Sequence, residues 1–213
     1  MVEKVNRSVP ARSYGQFCAL ARSLDVIGDR WTLLIVRELL PGAMRYGELK
    51  TSLAGIATNL LADRLRSLEA SGIVERHLDE GVVYRLTPWG AELREPMEAL
   101  GRWGIPLLAS GRGDDAFQPR WLTLAVPALL RGRTASPSVE VGIETEGFLM
   151  LVRIDETGPS AVVPAERPGT VLSASPDVVV GLATGTVSVE EAIAQGGLDG
   201  NPSPLRAAFR TGQ

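Results

Sequence analysis

The sequence contains one cysteine, Cys18, and one histidine, His77, among 213 residues. A single cysteine excludes an intrachain disulfide framework and any zinc site built from several cysteines. One histidine, with no phosphate-binding glycine loop and no metal-ligand spacing, also argues against a catalytic triad or a metal-dependent active site. We therefore expect a protein that is not an enzyme and that needs no metal or cofactor.

Long apolar runs are also missing. The longest, such as Leu33–Val36, are far shorter than the about 20 residues that a membrane-spanning helix needs. No basic start followed by an apolar stretch marks a secretory signal, so we expect a cytoplasmic protein without a membrane partner. Apolar residues make up 45% of the chain and charged residues 22%, which is typical of a soluble globular protein and not of a disordered or collagen-like one.

The charge is distributed unevenly along the chain, whose net charge is −3. Residues 1–110 carry 14 Lys and Arg against 13 Asp and Glu, whereas residues 111–213 carry 8 against 12. Helical periodicity dominates the first half, and a small, polar, glycine-bearing segment follows it. We therefore predict a first domain over residues 1–110, a linker over 111–117 and a second domain over 118–213.

Apolar spacing and turn residues predict the elements of the first domain. After a polar tail that ends near Ser13, we expect four helices, a hairpin and a final helix that Pro96 and Pro106 shorten or bend. The helices are predicted at residues 19–27, 31–40, 46–53 and 58–70, the strands at 73–78 and 82–86, and the last helix from Pro88 to about Leu108.

The helix predicted at residues 58–70 is the most informative. Leu61, Leu65 and Leu68 share one face at the i, i+4, i+7 spacing, and the polar residues point elsewhere. The order helix, helix, turn, helix and hairpin is that of a winged helix-turn-helix, which presents a short recognition helix to the major groove of DNA. The fold class is therefore predicted as α+β with an N-terminal winged helix-turn-helix. The alternative is a small α+β domain with no role in nucleic-acid binding.

Four motifs between Phe17 and Gly104 resemble the HxlR-type winged-helix regulators. They are Cys18–Ile35 (CALARSLDVIGDRWTLLI), Arg45–Leu49 (RYGEL), Leu65–Val74 (LRSLEASGIV) and Tyr84–Gly90 (YRLTPWG). The resemblance implies a homodimeric, DNA-binding transcriptional regulator, more often a repressor than an activator. It also implies dimerisation through the terminal helices, here the helix before Gly28 and the helix after Pro88. Two recognition helices would then bind a pseudo-palindromic operator with half-sites about 10 bp apart.

Candidate DNA contacts on the recognition helix are Thr58, Asn59, Asp63, Arg64 and Arg66. Thr58 and Asn59 can reach base edges or phosphates, and the two arginines suit phosphate or guanine. Two alternatives stay open: Thr58 caps the helix, and Arg64 pairs with a carboxylate of the chain itself.

Candidates also lie outside the recognition helix. Arg45 and Lys50 are expected as contacts to the DNA backbone or as solvated charges, and Arg76 and His77 are candidates in the hairpin, or wing. The acidic wing tip at Asp79 and Glu80 departs from the family pattern. Because carboxylates are repelled by phosphate, we expect no deep contact of the wing with the minor groove.

Cys18 stands where the HxlR-type family often carries a cysteine that senses oxidants or electrophiles. A sensor thiol needs exposure and thiolate character, and Arg22, one helical turn later, is the only helpful charge nearby in the sequence. The alternative is a cysteine that is buried as a small apolar residue near the dimer interface. Redox sensing through Cys18 is therefore a secondary hypothesis.

The second half predicts a mixed helix and strand domain. A helix is expected at residues 119–130, where Pro127 bends it, and Ser175 is a predicted helix cap. The strands are predicted at residues 138–144, 148–154, 160–163 and 170–173, and the further helices at 175–182, 189–194 and 204–209.

Residues 118–211 resemble sterol carrier protein domains through the glycine and apolar positions of Ser175–Gly185 (SPDVVVGLATG), Glu191–Leu198 (EAIAQGGL) and Leu205–Phe209 (LRAAF). The resemblance implies an α/β domain around an apolar cavity, so that an apolar small molecule would act as effector. The predicted cavity wall consists of Phe148, Met150, Val152, Val179, Leu182, Ile193 and Phe209. Two alternatives stay open: these residues are ordinary core, and the domain serves only for dimerisation or for binding a partner protein.

Overall fold

The computed structural model describes residues 13–79, 81–108 and 113–209. The predicted polar tail up to residue 12, residues 111–112 of the predicted linker, Glu80 and the side chain of Asp79 lie outside this description. None of the helices in the described ranges is long and apolar enough to span a membrane.

The chain divides into two compact units, Met1–Met97 and Glu98–Gln213. The division falls inside a helix and before the segment where the composition changes. Each unit has its own sheet.

The first unit contains helices and a three-stranded antiparallel sheet in the strand order β1-β3-β2. In chain order its elements are α1 (Ala19–Ile27), α2 (Thr32–Leu39), β1 (Met44–Arg45), α3 (Tyr46–Ser52), α4 (Thr58–Ala70), β2 (Val74–Asp79), β3 (Gly81–Leu86), α5 (Pro88–Ala91) and the start of α6 (Arg94–Gly104). The predicted winged helix-turn-helix is present, with α3 and α4 as the helix pair and β2–β3 as the wing.

Helices α2, α3 and α4 of the first unit bury apolar side chains in a core. Leu61, Leu65 and Leu68 of α4 are buried, as the i, i+4, i+7 spacing predicts. They join the other fully buried side chains of this unit, which include Ile35, Leu49, Leu53, Ile56 and Ile73. This burial leaves the opposite face of α4 in solvent.

The structure moves the start of α2, divides the last predicted helix near its two prolines, as expected, and adds one strand. Trp31 has a φ of 79°, a left-handed conformation, so α2 begins at Thr32 rather than at Trp31. The helix predicted from residue 88 to residue 108 consists of α5, α6 and a 3₁₀ turn at Ile105–Leu108. Pro96 lies in the first turn of α6, where a missing N–H costs no hydrogen bond, so a new helix begins just before it. The two-residue strand β1 was not predicted.

The second unit contains a five-stranded sheet in the order β6-β5-β4-β7-β8. Strands β4 and β7 are parallel, and the other pairs are antiparallel. After a 3₁₀ turn at Pro119–Trp121, its elements are α7 (Leu122–Leu129), β4 (Val139–Thr145), β5 (Phe148–Asp155), β6 (Gly158–Val162), β7 (Val171–Ser173), α8 (Pro176–Thr184), α9 (Val189–Gln195), β8 (Gly197–Asp199) and α10 (Pro202–Phe209).

One face of this sheet packs against the helices and the other carries charges. Val141 and Ile143 of β4 lie in an apolar cluster with residues of α7, α8, α9 and α10. On the opposite face, Arg153 donates to Glu140 at 2.6 Å and Arg167 donates to Glu144 at 3.1 Å. The predicted strands and the Ser175 cap are confirmed. The helix expected at residues 119–130 begins as a 3₁₀ turn, and β8 was not predicted.

Candidate nucleic-acid interface

The start of α4 is fixed against α3. The hydroxyl of Tyr46, the first residue of α3, donates to the carbonyl oxygen of Thr58 at 2.7 Å. Leu53 and Ile56, in the turn between the two helices, are buried. Ala57 is the N-cap of α4, so the alternative that Thr58 caps the helix is wrong. Thr58 is exposed. The hydrogen bond from Tyr46 was missed in the sequence analysis, because a tyrosine at the start of a helix gives no sequence signal of its partner.

Asn59, Asp63 and Arg66 lie on the outward face of α4 and are exposed. Successive helical residues are about 100° apart, which places these three opposite the buried leucines. The guanidinium of Arg66 pairs with the carboxylate of Asp63, and the side-chain oxygen of Asn59 accepts from the amide of Leu60 at 3.0 Å. The outward face thus presents an amide and a guanidinium, the groups that pair with adenine and guanine edges.

Arg64 has a different environment. Its Nη1 lies 3.0 Å from the Asp29 carboxylate, and its Nε donates to the carbonyl oxygen of Arg30 at 3.3 Å. Only 20% of its side chain is exposed, against 73% for Arg66. The structure therefore gives Arg64 the intramolecular pairing that was the alternative to a DNA contact.

The two candidates from the α3 region differ in position. Arg45 lies on β1 opposite Val83 of β3 and is the N-cap of α3. Its backbone amide donates to the Glu48 carboxylate at 2.6 Å, which satisfies one free amide of the helix start. Lys50 lies in the last turn of α3 and is half-buried. Arg45 therefore belongs to the edge of the wing sheet and Lys50 to the helix pair.

The basic side chains of the wing lie beside carboxylates. His77 Nε2 lies 3.2 Å from a Glu75 oxygen, to which Arg85 donates at 2.6 Å. The hydrogen bond from Arg85, and after it the contact with His77, holds the pKa of the Glu75 carboxyl below its usual value. Arg76 Nε is 3.9 Å from Glu69, so this pairing is weak. The predicted wing residues Arg76 and His77 thus each lie beside a carboxylate of the chain itself.

The wing also carries an apolar pair that the sequence reading missed. Leu78 and Val82 face each other across the β2–β3 ladder, and both side chains are exposed. The alternation of a two-stranded hairpin places them on the same face as Arg76 and Tyr84.

Cys18 is exposed in the single chain, and the alternative of burial near a dimer interface stays a prediction. It is the N-cap of α1, and the backbone amides of Ala21 and Leu20 lower the pKa of its thiol. Arg22 instead binds Ser13 at 3.0 Å and Asp25 at 3.4 Å. The positive field that favours the Cys18 thiolate comes from the start of α1, which was not considered in the sequence analysis.

The predicted cavity wall of the second unit belongs to its apolar cluster. Five of the seven residues are buried there: Met150, Val152, Val179, Leu182 and Phe209. Phe148 and Ile193 are half-buried and pack against the cluster. Thr145, paired with Phe148 in the β4–β5 register, is buried, and its hydroxyl has no hydrogen-bond partner among the described residues. In the described part of the chain no group of three His, Cys, Asp or Glu side chains is placed to hold a metal ion.

Comparison with known proteins gives the following matches. The model of the HxlR-like helix-turn-helix family matches residues 26–110. An HTH-type transcriptional regulator of Synechocystis sp. is 33% identical over 99 residues, which are 45% of this chain and 73% of that protein. The HTH-type transcriptional regulator YtcD of Bacillus subtilis is 34% identical over 96 residues, 43% of this chain and 76% of that protein. The solved structure of reduced YodB, a transcriptional regulator from B. subtilis, is 30% identical and covers 45% of this chain and 99% of YodB, with a TM-score of 0.40.

Proposed function

The chain belongs to the HxlR-like helix-turn-helix family of transcriptional regulators, which are not enzymes, and on this premise we propose that α4 recognises a pseudo-palindromic operator in double-stranded DNA. The observation that carries the proposal is the outward face of α4. Asn59 and Arg66 are exposed there, on a helix whose start is fixed by the hydroxyl of Tyr46. Asparagine suits adenine and arginine suits guanine in the major groove.

The net charge of the first 110 residues supports DNA binding of moderate affinity. The first 110 residues carry a net charge of only +1, so positive charge acts locally, at the start and outward face of α4 and around Arg45 and Lys50. Each phosphate that a cation neutralises adds to the dependence of affinity on salt. We therefore expect affinity that falls with salt, with a slope that corresponds to few phosphate contacts.

The test is binding of the full chain to a labelled duplex selected by the wild-type chain from a randomised library, followed by fluorescence anisotropy. The double variant Asn59→Ala, Arg66→Ala should lose at least the value of one specific base contact, about 1–3 kcal/mol, or roughly 5- to 150-fold in Kd. Arg206→Ala removes an exposed, paired arginine from the second unit and serves as the control for charge. Undiminished binding by the double variant would refute the assignment of α4.

The operator symmetry in this proposal requires a homodimer. Apolar side chains are exposed on and beside α1, at Phe17, Leu20 and Leu24, and along α6 and the turn after it, at Leu100, Trp103, Ile105, Leu107 and Leu108. Each of these two groups of exposed apolar residues, taken by itself, marks an interaction surface. A second copy of the chain is the occupant that a two-fold operator calls for.

Leu20→Glu tests the dimer, since it places a charge on the exposed apolar side of α1. The variant should sediment as a monomer at concentrations where the wild-type chain is dimeric. Leu78→Glu, on a wing leucine that is even more exposed than Leu20, is the matched control and should leave the mass unchanged. A wild-type chain that is monomeric at all concentrations would contradict the proposal.

We also propose that the chain is a repressor whose second unit, with a sterol carrier protein-like arrangement, binds an apolar effector. The supporting observations are the half-buried Phe148 and Ile193 at the edge of the apolar cluster and the buried, unpaired hydroxyl of Thr145 among the described residues. Native mass spectrometry of the full chain purified from its host is the test. A retained apolar molecule supports an effector, whereas an empty chain favours a second unit that serves dimerisation or a partner protein.

A thiol response is the second candidate function, because Cys18 is exposed and its thiol pKa is lowered by the amides of the α1 start. Oxidants react with the thiolate, which a lowered pKa makes more abundant at neutral pH. Diamide should then weaken operator binding by the wild-type chain and leave Cys18→Ser unchanged. Equal binding before and after diamide would remove this candidate.

A further inference from the structure

The guanidinium of Arg64 joins α4 to the turn between α1 and α2. It pairs with Asp29 at 3.0 Å and donates to the carbonyl oxygen of Arg30 at 3.3 Å, two bonds from one side chain to adjacent residues. Arg64 follows Leu61 by three residues and precedes Leu68 by four, so it lies beside the buried stripe of α4. Its side chain therefore runs along the flank of the helix and not outward.

The turn that receives Arg64 has a defined conformation. Trp31 has a φ of 79°, a conformation that bulky residues rarely adopt, and the guanidinium of Arg30 lies 5.7 Å from the centre of the Trp31 ring. The next residue, Thr32, is buried and begins α2. Arg64 thus joins α4 to the turn that directly follows α1.

We propose that Arg64 and Asp29 form a clamp that positions the recognition helix, and that Arg64 does not itself contact DNA. The proposal rests on the proposed function, in which α4 binds the operator and α1 carries part of the dimer surface. A bond between α4 and the end of α1 would then fix the distance between the two recognition helices of a dimer. Tyr46 fixes the start of α4, and the clamp fixes its middle.

The clamp and a direct phosphate contact predict opposite results for Asp29→Ala. If Arg64 contacted phosphate, removing Asp29 would release the arginine and tighten binding. If Arg64 positions α4, removing either partner weakens binding, by about tenfold, the size of coupling seen for residues that transmit between sites. Because the two residues act on each other, the double variant Asp29→Ala, Arg64→Ala should bind no worse than Arg64→Ala alone.

The experiment measures anisotropy of the full chain on the selected duplex over a series of salt concentrations. Arg64→Ala should raise Kd at every salt concentration and leave the slope of log K against log salt unchanged. Arg66→Ala is the matched control from the exposed face of the same helix, and it should both raise Kd and relax the preference for guanine in the selected duplex, as expected for a base contact. Tighter binding by Asp29→Ala, or a slope lowered by Arg64→Ala, would overturn the clamp.

Hydrogen–deuterium exchange of the free full chain separates the failure of the clamp from that of the proposed function. Both single variants should exchange faster in peptides from α4 and from residues 28–31 without any DNA present. Exchange equal to that of the wild type would refute the clamp whatever the DNA result. Failure of the wild-type chain to select any duplex would instead refute operator binding, while faster exchange would still support the clamp.

Discussion

Gly90 marks the closest approach between α5 and the residue that precedes the wing. A Cβ atom at this position would lie 2.1 Å from the carbonyl oxygen of Ile73 and 3.2 Å from its Cγ2. A carbon and a carbonyl oxygen in favourable contact are about 3.3 Å apart, so the two segments would have to separate by about 1.2 Å. Gly90→Ala therefore forces α5 away from the start of the wing.

Displacement of the Ile73 carbonyl costs free energy, because hydrogen bonds hold it in place. It accepts from the Thr87 amide at 3.0 Å and from the Thr87 hydroxyl at 3.3 Å, and that hydroxyl also donates to Gly72 and accepts from the Gly90 amide. Overpacking by a methyl group costs about 1–3 kcal/mol. Loss of one of these hydrogen bonds adds about 1 kcal/mol. We expect Gly90→Ala to destabilise the packing of α5 against Ile73 by about 2–4 kcal/mol.

Native-state hydrogen exchange of the full chain measures this loss in peptides from β2 and α5. Exchange there should accelerate by roughly 30- to 1,000-fold, since about 1.4 kcal/mol corresponds to a factor of ten. Gly101→Ala is the control: Gly101 lies inside α6, and beyond its own helix backbone no atom of the described residues would come within 4 Å of an added Cβ. That variant should leave β2 and α5 unchanged and slow exchange within α6. If Gly90→Ala exchanged like the wild type, the close approach would be refuted.

Three further outcomes are expected. The thiol pKa of Cys18 is lowered, so iodoacetamide should alkylate it at pH 7 faster than it alkylates the same cysteine in the urea-unfolded chain. The midpoint of the alkylation rate against pH should also lie lower in the folded chain. Equal midpoints would refute the effect of the helix start. Tyr46→Phe removes the bond to the Thr58 carbonyl and should weaken operator binding while the salt slope stays constant; a changed slope would contradict a purely positional role. Ser188→Ala breaks the capping box with Glu191 and should cost α9 about 1 kcal/mol in urea unfolding, whereas an unchanged midpoint would show that the cap contributes nothing.

The elements with strong end signals were predictable from sequence. The bounds of α1 and α4 were predicted as observed, because a glycine follows α1 directly and Ser71–Gly72 follows α4. The errors occur where tertiary structure overrides local preference. Trp31 is compatible with a helix, yet its left-handed φ delays the start of α2. Strand β1 exists only because β3 is there to pair with it.

The residues of the candidate site were predictable from the sequence, whereas the carboxylates that pair with them were not. The spacing of Leu61, Leu65 and Leu68 placed Arg64 and Arg66 off the buried face, and it did not separate the flank of α4 from its outward face. Arg64 is three residues after Leu61 and four before Leu68, a relation that was available from the sequence and that indicates the flank. Its partner Asp29 is 35 residues away, beyond the reach of local pattern. The neutralising role of Glu75 in the wing likewise depends on a cross-strand register that only the folded hairpin defines.

The carboxylate beside Arg66, a proposed DNA contact, has a consequence for selectivity. An exposed ion pair such as that of Arg66 with Asp63 contributes about 0.2–1 kcal/mol, whereas a bidentate arginine–guanine contact discriminates by about 1–3 kcal/mol. The free energy therefore favours an Arg66 that leaves the Asp63 carboxylate and binds guanine instead. A single phosphate in random sequence offers a smaller gain, and it must also overcome the repulsion of Asp63. The acidic neighbours should thus lower non-specific affinity more than operator affinity, so Asp63→Asn is expected to tighten binding to random duplex more than binding to the selected one. An equal gain on both duplexes would show that Asp63 lowers affinity without adding selectivity.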